Sequence, residues 1–160
     1  MLIHLPIVKT LYWQTEDNTC AFAQHLAHNT AIRSAFVELR GELGAGKTSF
    51  VRHLLRALGV AGRIKSPTYA VVEPHEVRDA SGDLKIWHFD FYRFTDPREW
   101  EDAGFRDLFA QAGLKLAEWP DKARAALPEA DLVIAIDVQA DASRSVTLTA
   151  QTQLGAALLA

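Results

Sequence analysis

Apolar residues along the chain fall into short runs separated by polar, glycine or proline links, interrupted by stretches in which they recur at helical spacing. Ile7 to Trp13 predicts a first strand. Thr15, Asp17 or Asn18 can cap a helix running to about Ala27, with Cys20, Phe22, Ala23, Leu26 and Ala27 as its apolar positions. Asn29 and Thr30 mark its exit, and Ala35 to Leu39 predicts a short strand. Phe50, Val51, Leu54, Leu55 and Leu58 then share one helical face, and Gly59 is placed to terminate that helix. Two strands follow, Ala70 to Val77 and Leu84 to Phe91, and the polar link Arg78 to Asp83 makes an antiparallel hairpin natural. Thr95-Asp96-Pro97 opens a short helix to about Ala103, Gly104 breaks it, and Phe105 to Ala110 gives another turn or two. Leu114 to Trp119 predicts a strand stopped by Pro120, and Lys122 to Leu127 a short helix. Strands are predicted at Leu132 to Asp137 and Ser145 to Ala150, with Gln151 to Ala160 a short helix or frayed end. Helices between strands early and strand pairs late predict a single α/β domain over 1–160, its sheet parallel at the centre with antiparallel additions.

The link between Leu39 and the helix at 49–58 carries the strongest chemical signal. Gly41-Glu42-Leu43-Gly44-Ala45-Gly46-Lys47-Thr48 fits the phosphate-binding pattern G-x-x-x-x-G-K-[ST]. Glycines allow the backbone to turn so that successive N–H groups point at one anion. Lys47 supplies a positive charge for the β- and γ-phosphates, the Thr48 hydroxyl a ligand for Mg²⁺, and the helix start unpaired N–H groups. A strand before and an amphipathic helix after are the context this motif requires. Glu42, Leu43, Gly44, Ala45, Gly46, Lys47, Thr48 and Ser49 are therefore the candidate nucleotide-binding residues.

Composition narrows the class without changing that reading. With 160 residues, 49% of them hydrophobic and 23% charged, the chain suits one soluble globular domain. A net charge of −3 argues against broad electrostatic binding to nucleic acid, although Arg52, His53, Arg56, Arg63 and Lys65 form a basic run on and after the P-loop helix. The lone Cys20 excludes an internal disulfide and any cysteine-based zinc site, and suits a reducing compartment. His25 and His28 lack neighbouring ligands and read as surface residues. No run approaches a membrane span, and the start lacks the pattern of a signal peptide, so a cytoplasmic location is expected.

Mg²⁺ on Thr48 needs a carboxylate at a strand's C-terminal end. Asp90, Glu118 and Asp137 all qualify; by apolar run alone Asp137 fits best, and pattern leaves the choice open. Ser66-Pro67-Thr68-Tyr69 reads either as a turn into the next strand or as a switch-type segment sensing the γ-phosphate.

Four blocks in order resemble the TsaE (YjeE-type) P-loop ATPases of bacterial tRNA threonylcarbamoyladenosine biosynthesis. They are Gly41 to Thr48, Lys65 to Tyr69, His88-Phe89-Asp90-Phe91-Tyr92-Arg93, and Glu118-Trp119-Pro120; the resemblance covers roughly 30–140. It implies a small P-loop α/β domain that binds and hydrolyses ATP with Mg²⁺. It makes Thr48, Asp90 and Glu118 the metal residues, with Lys47, Asp90 and Glu118 in catalytic roles, and it demotes Asp137. It also implies that Ser66, Pro67, Thr68 and Tyr69 form the switch-like loop and that Trp119 lies near the nucleotide or a partner. The implied partners are TsaD and TsaB, with tRNA in or near that complex; hydrolysis would reset the complex between turnovers. No Gln or Arg can be named from the sequence as a transition-state finger, so weak activity alone is expected. The rival readings are a small-molecule kinase, a GTPase switch and a nucleotide-gated binding module. No Arg-rich lid favours the first. The second lacks Asn-Lys-x-Asp, and its only D-x-x-G match, Asp79-Ala80-Ser81-Gly82, falls in the hairpin link.

Overall fold

The computed structural model describes residues 4–65, 67, 71–95 and 104–160. The helix expected from Thr95 to about Ala103 falls mostly outside them, as do Ser66, Thr68 and Tyr69. Among the described residues the chain runs β1 (Ile7–Trp13), α1 (Glu16–Ala27), a 3-10 helix (Thr30–Ser34), β2 (Phe36–Arg40) and α2 (Lys47–Leu58). It continues through β3 (Val72–Asp79), β4 (Gly82–Asp90), α3 (Phe105–Ala110), β5 (Leu114–Glu118), a second 3-10 helix (Pro120–Ala126), β6 (Leu132–Val138), β7 (Arg144–Ala150) and α4 (Gln153–Leu158).

All seven strands form one sheet in the order β1-β7-β6-β2-β5-β4-β3. The inner four, β6, β2, β5 and β4, are parallel, while β7, β1 and β3 add antiparallel on the two sides. This is the α/β class expected from the alternation of periods. Parallel strands buried on both faces need apolar side chains in both directions. β5 shows this, with every residue from Leu114 to Glu118 buried, polar Lys115 and Glu118 included.

Each sheet face has its own core. Leu39, Ile86, Leu116 and Ile134 point to the face covered by α1 and α2, where Phe50, Val51, Leu54 and Leu55 of α2 complete the contact. Phe36, Trp87, Phe89 and Phe91 point the other way and meet Phe105 of α3. β-strand alternation therefore fixes which side each polar residue takes. Ile86, His88 and Asp90 share the α2 side of β4, together with Leu116 and Glu118 of β5.

Local signals account for most boundaries. Asn18 Oδ1 accepts the Gln14 and Thr15 N–H groups ahead of α1 (2.9 and 3.1 Å). Gly59 closes α2 at φ 104°, in the left-handed region open to glycine. The hairpin link is tighter than the polar stretch Arg78 to Asp83 indicated. Both strands extend until Asp79 pairs with Gly82, and Ser81 N–H donates to Asp79 Oδ1 (2.8 Å), so Asp79-Ala80-Ser81-Gly82 is a turn. The tail is not frayed: Thr152 caps α4, and Gly155 and Leu158 are buried.

Candidate active site

β2 and α2 are joined by the glycine-rich loop, and the α2 N-terminus lies at the C-terminal ends of the parallel strands. Three glycines of that loop have positive φ, each with a different neighbour. A Cβ on Gly41 (φ +150°) would stand 2.6 Å from the Ile136 carbonyl oxygen of β6, and one on Gly46 (φ +111°) 3.3 Å from Arg144 Nε. One on Gly44 (φ +78°) would meet nothing within 4 Å. The reading of these glycines as making room for phosphate therefore applies to Gly44. Gly41 makes room for the protein's own sheet.

Lys47 is buried, and its ammonium donates to the carbonyls of Gly41 and of Glu42, the latter at 3.1 Å. Nζ also stands 4.1 Å from the Trp119 ring centroid, a cation–π distance. Burial pushes the Lys47 pKa below the ordinary lysine value, and the charges of Glu118, Asp90 and Glu42 oppose that shift. Trp119 itself is held at φ 54°, ψ 51°, a conformation rare for a bulky residue, between Glu118 and Pro120. Its ring lies against Tyr92, with centroids 5.0 Å apart.

The carboxylates separate clearly. Thr48 Oγ1 donates to Glu118 Oε1 at 2.9 Å, and His88 Nε2 lies 2.6 Å from Glu118 Oε2. Asp90, paired with Glu118 in the β4–β5 register, accepts the Tyr92 N–H on Oδ1 at 3.0 Å. Burial raises the Asp90 pKa above the ordinary carboxylate value and the nearby Glu118 adds to the rise, against the Tyr92 hydrogen bond, His88 and Lys47. Asp137 is exposed and lines a separate cavity of about 450 Å³ behind the loop, along with Arg40, Glu42, Asp121 and Lys122.

A cavity of about 260 Å³ is lined by Leu43 through Ser49, Asp90, Tyr92, Trp119 and Arg144. Its donors suit a polyphosphate and its oxygens a hard cation: an ammonium, a guanidinium and a helix N-terminus, beside the Thr48 hydroxyl and the Asp90 carboxylate, with Glu118 buried behind Thr48. Of the sequence-based candidates, Lys47, Thr48, Asp90, Glu118 and Trp119 converge here. Glu42 faces the neighbouring cavity, and Pro67 is buried. Arg144 is the residue that sequence reasoning missed. It starts β7, and its Nε donates to the Ala45 carbonyl at 2.5 Å across 99 positions of sequence. His88 appeared only as a motif letter, one alternation step before Asp90. Arg52, Arg56, Arg63 and Lys65 are exposed, and Arg56 donates to the Val60 carbonyl at 3.0 Å.

A sequence model of the family described as "Threonylcarbamoyl adenosine biosynthesis protein TsaE" matches residues 13–146. The chain belongs to the TsaE family. It is similar to the tRNA threonylcarbamoyladenosine biosynthesis protein TsaE of Haemophilus influenzae, at 43% identity over 84% of this chain and 82% of that one. The protein of the same name in Bacillus subtilis is 34% identical over 89% and 87% of the two chains. Among solved structures, B. subtilis YdiB superposes with a TM-score of 0.74 at 28% identity, covering 98% and 95%. The four TsaE-like blocks and the fold thus agree. Among the described residues, no helix is long and apolar enough to cross a membrane, and no group of three or more His, Cys, Asp or Glu is placed to hold a metal ion.

Proposed function

We propose that the protein is a Mg²⁺-dependent ATPase that serves threonylcarbamoyladenosine modification of tRNA in the cytoplasm by acting on, and resetting, a TsaD–TsaB complex. The observation that carries this reading is the hydrogen-bonded run Thr48–Glu118–His88 beside Lys47 and Asp90, at the N-terminus of α2. The loop amides from Leu43 to Ser49 and the Lys47 ammonium hold the triphosphate. Lys47 leaves its carbonyl partners to do so, and Trp119, now over Nζ, moves with it. Thr48 and Glu118 would hold Mg²⁺, with Asp90 close by, and the ion would supply fixed positive charge to the phosphate oxygens. Asp90, facing the same cavity, orients the attacking water, while Lys47 and the amides stabilise charge that develops in transfer. Arg144 adds a cation on the Gly46 side and is the one arginine lining that cavity among the described residues.

Slow turnover by the isolated chain follows if a partner completes the site. Retention of TsaD and TsaB on immobilised protein tests this. ATP should hold the partners, whereas ADP or no nucleotide should release them. Equal retention in all three conditions would contradict a nucleotide-controlled complex.

A further inference from the structure

We propose that His88 is a positioning residue for Glu118, holding one carboxylate oxygen so that the other is aimed at Thr48 and the bound cation. This rests on the reading of Glu118 as an active-site carboxylate and adds a residue to it.

The geometry argues for that role over a packing one. His88 and Glu118 are both 2% exposed in their side chains, and Nε2 stands 2.6 Å from Oε2. The two strands are adjacent and parallel, with His88 opposite Leu116 and Asp90 opposite Glu118, so the imidazole reaches forward by one step on a shared face. Glu118 Oε1 meanwhile accepts from Thr48. A carboxylate has a soft terminal torsion; a donor on each oxygen fixes its plane.

The ring gains little else from its location. His88 Nδ1 is buried and, among the described residues, has no hydrogen-bond partner; neither has Nε2 of His75, across on β3. Leu84 and Ile86, on the same face of β4, are apolar and buried. A leucine at 88 would suit that neighbourhood, since a buried polar nitrogen without a partner costs stability. What leucine could not do is donate to Oε2. Groups behind the ligands of a metal site orient them, and their loss typically costs about 10–100-fold in metal affinity or activity.

The test compares His88→Leu, His88→Gln and His88→Asn with Glu118→Gln. The readouts are ATP affinity without Mg²⁺, the Mg²⁺ dependence of binding of a fluorescent ATP analogue, kcat and KM in the presence of the partner complex, and melting temperature. The glutamine amide can present an N–H close to the position of Nε2, and the asparagine amide falls one bond short. We expect His88→Leu to melt below the wild type, because the buried Glu118 Oε2 loses its donor, and to bind metal-free ATP within about threefold of wild type. Its Mg²⁺ requirement should rise, and kcat fall, by roughly 10–100-fold. His88→Gln should regain most of both and His88→Asn should not. A ring that merely fills the core predicts the reverse order, with leucine near wild type and glutamine worse; that result overturns the proposal. If Glu118→Gln keeps full turnover and Mg²⁺ affinity, the reading of Glu118 fails and the proposal falls with it. If Glu118→Gln is impaired and His88→Leu is not, only the role of His88 is overturned. Should the leucine variant not fold, imidazole ¹H–¹⁵N spectra of the wild type decide. A strongly downfield Nε2–H resonance of His88 that collapses in Glu118→Gln supports the bond, and its absence from the wild type overturns it.

Discussion

At Gly41 the phosphate-binding loop leaves β2 so close to β6 that the Ile136 carbonyl would lie 2.6 Å from any Cβ, whereas the same atom on Gly44 would point into open space. The two positions look alike in the motif and should respond differently to alanine. Gly41→Ala forces the loop off β6 and should destabilise the fold by on the order of 3 kcal/mol. Gly44→Ala adds only the left-handed backbone penalty, about 1 kcal/mol, while still blocking phosphate approach. Urea melts and ATP binding on both variants check this; equal stabilities would contradict it. Asp90 gives a second residue-scale expectation. Its pKa is raised in the fold, chiefly by burial, so its contribution to stability is present below the ordinary carboxylate pKa and lost as pH rises through the raised folded value. Without nucleotide, Asp90→Asn should therefore melt on the order of 2 °C above the wild type at neutral pH, and the gap should close as the buffer is acidified through the carboxylate range. Melting curves across pH test the sign. The residues that act through the motif, Lys47 and Thr48, were legible in the sequence because their spacing is local. Choosing Glu118 and Asp90 over Asp137 required the family resemblance, because an apolar run followed by a carboxylate describes all three. The geometry separates them: the first two face Thr48's side of the sheet, while Asp137 lines the neighbouring cavity.

Among the elements, the second 3-10 helix is tied to β2 by an ion pair that the sequence did not signal. Arg124 donates two hydrogen bonds to the buried Glu38 carboxylate, at 2.8 and 2.9 Å, and also meets Asp121. The Glu38 hydrogen bond is the main reason the Arg124 pKa lies above the ordinary arginine value. Removing Arg124 leaves the buried Glu38 carboxylate with Arg40 alone, whose Nη2 stands 3.6 Å from Oε1. Since Arg124 is 43% exposed in its side chain, water screens part of the loss. Arg124→Ala should cost about 2 kcal/mol, and pairing it with Glu38→Gln should recover part of that in a double-mutant cycle. Full additivity of the two changes would contradict a direct pair. This tie matters because the helix begins at Pro120, directly after Trp119, and so anchors the far side of the site. Most elements were readable from periodicity and punctuation; α2 with its Gly59 stop and β5 before Pro120 needed nothing more. The differences lay where tertiary contact decides. The β3–β4 turn shortened because ladder hydrogen bonds continued into polar residues, and of the two forms expected for the tail the short helix formed, with Thr152 capping it and bonded to Asp131.

For the whole molecule, the class of sheet followed from the sequence, but its order did not. Nothing local tells β1 to pair with β7, or β7 to bring Arg144 against Ala45 from 99 positions away. That crossing completes the cavity at the ends of β2, β4 and β5, and it places a guanidinium beside the loop. Arg144→Ala should weaken ATP binding by roughly tenfold, the scale of one hydrogen bond to a charged group, with little change in melting temperature. Titration of a fluorescent ATP analogue would reveal unchanged affinity if Arg144 only fastens the loop. The fold agrees with that of B. subtilis YdiB, and in the proposed function the carboxylate held between Thr48 and His88 serves ATP turnover. The most direct test is ATP hydrolysis by the wild type and by Glu118→Gln, each with TsaD–TsaB present and with ATP binding measured in parallel. Glu118→Gln should bind ATP within a few-fold of wild type and turn it over about 100-fold more slowly or worse. Wild-type turnover by Glu118→Gln, with ATP bound, would contradict that role.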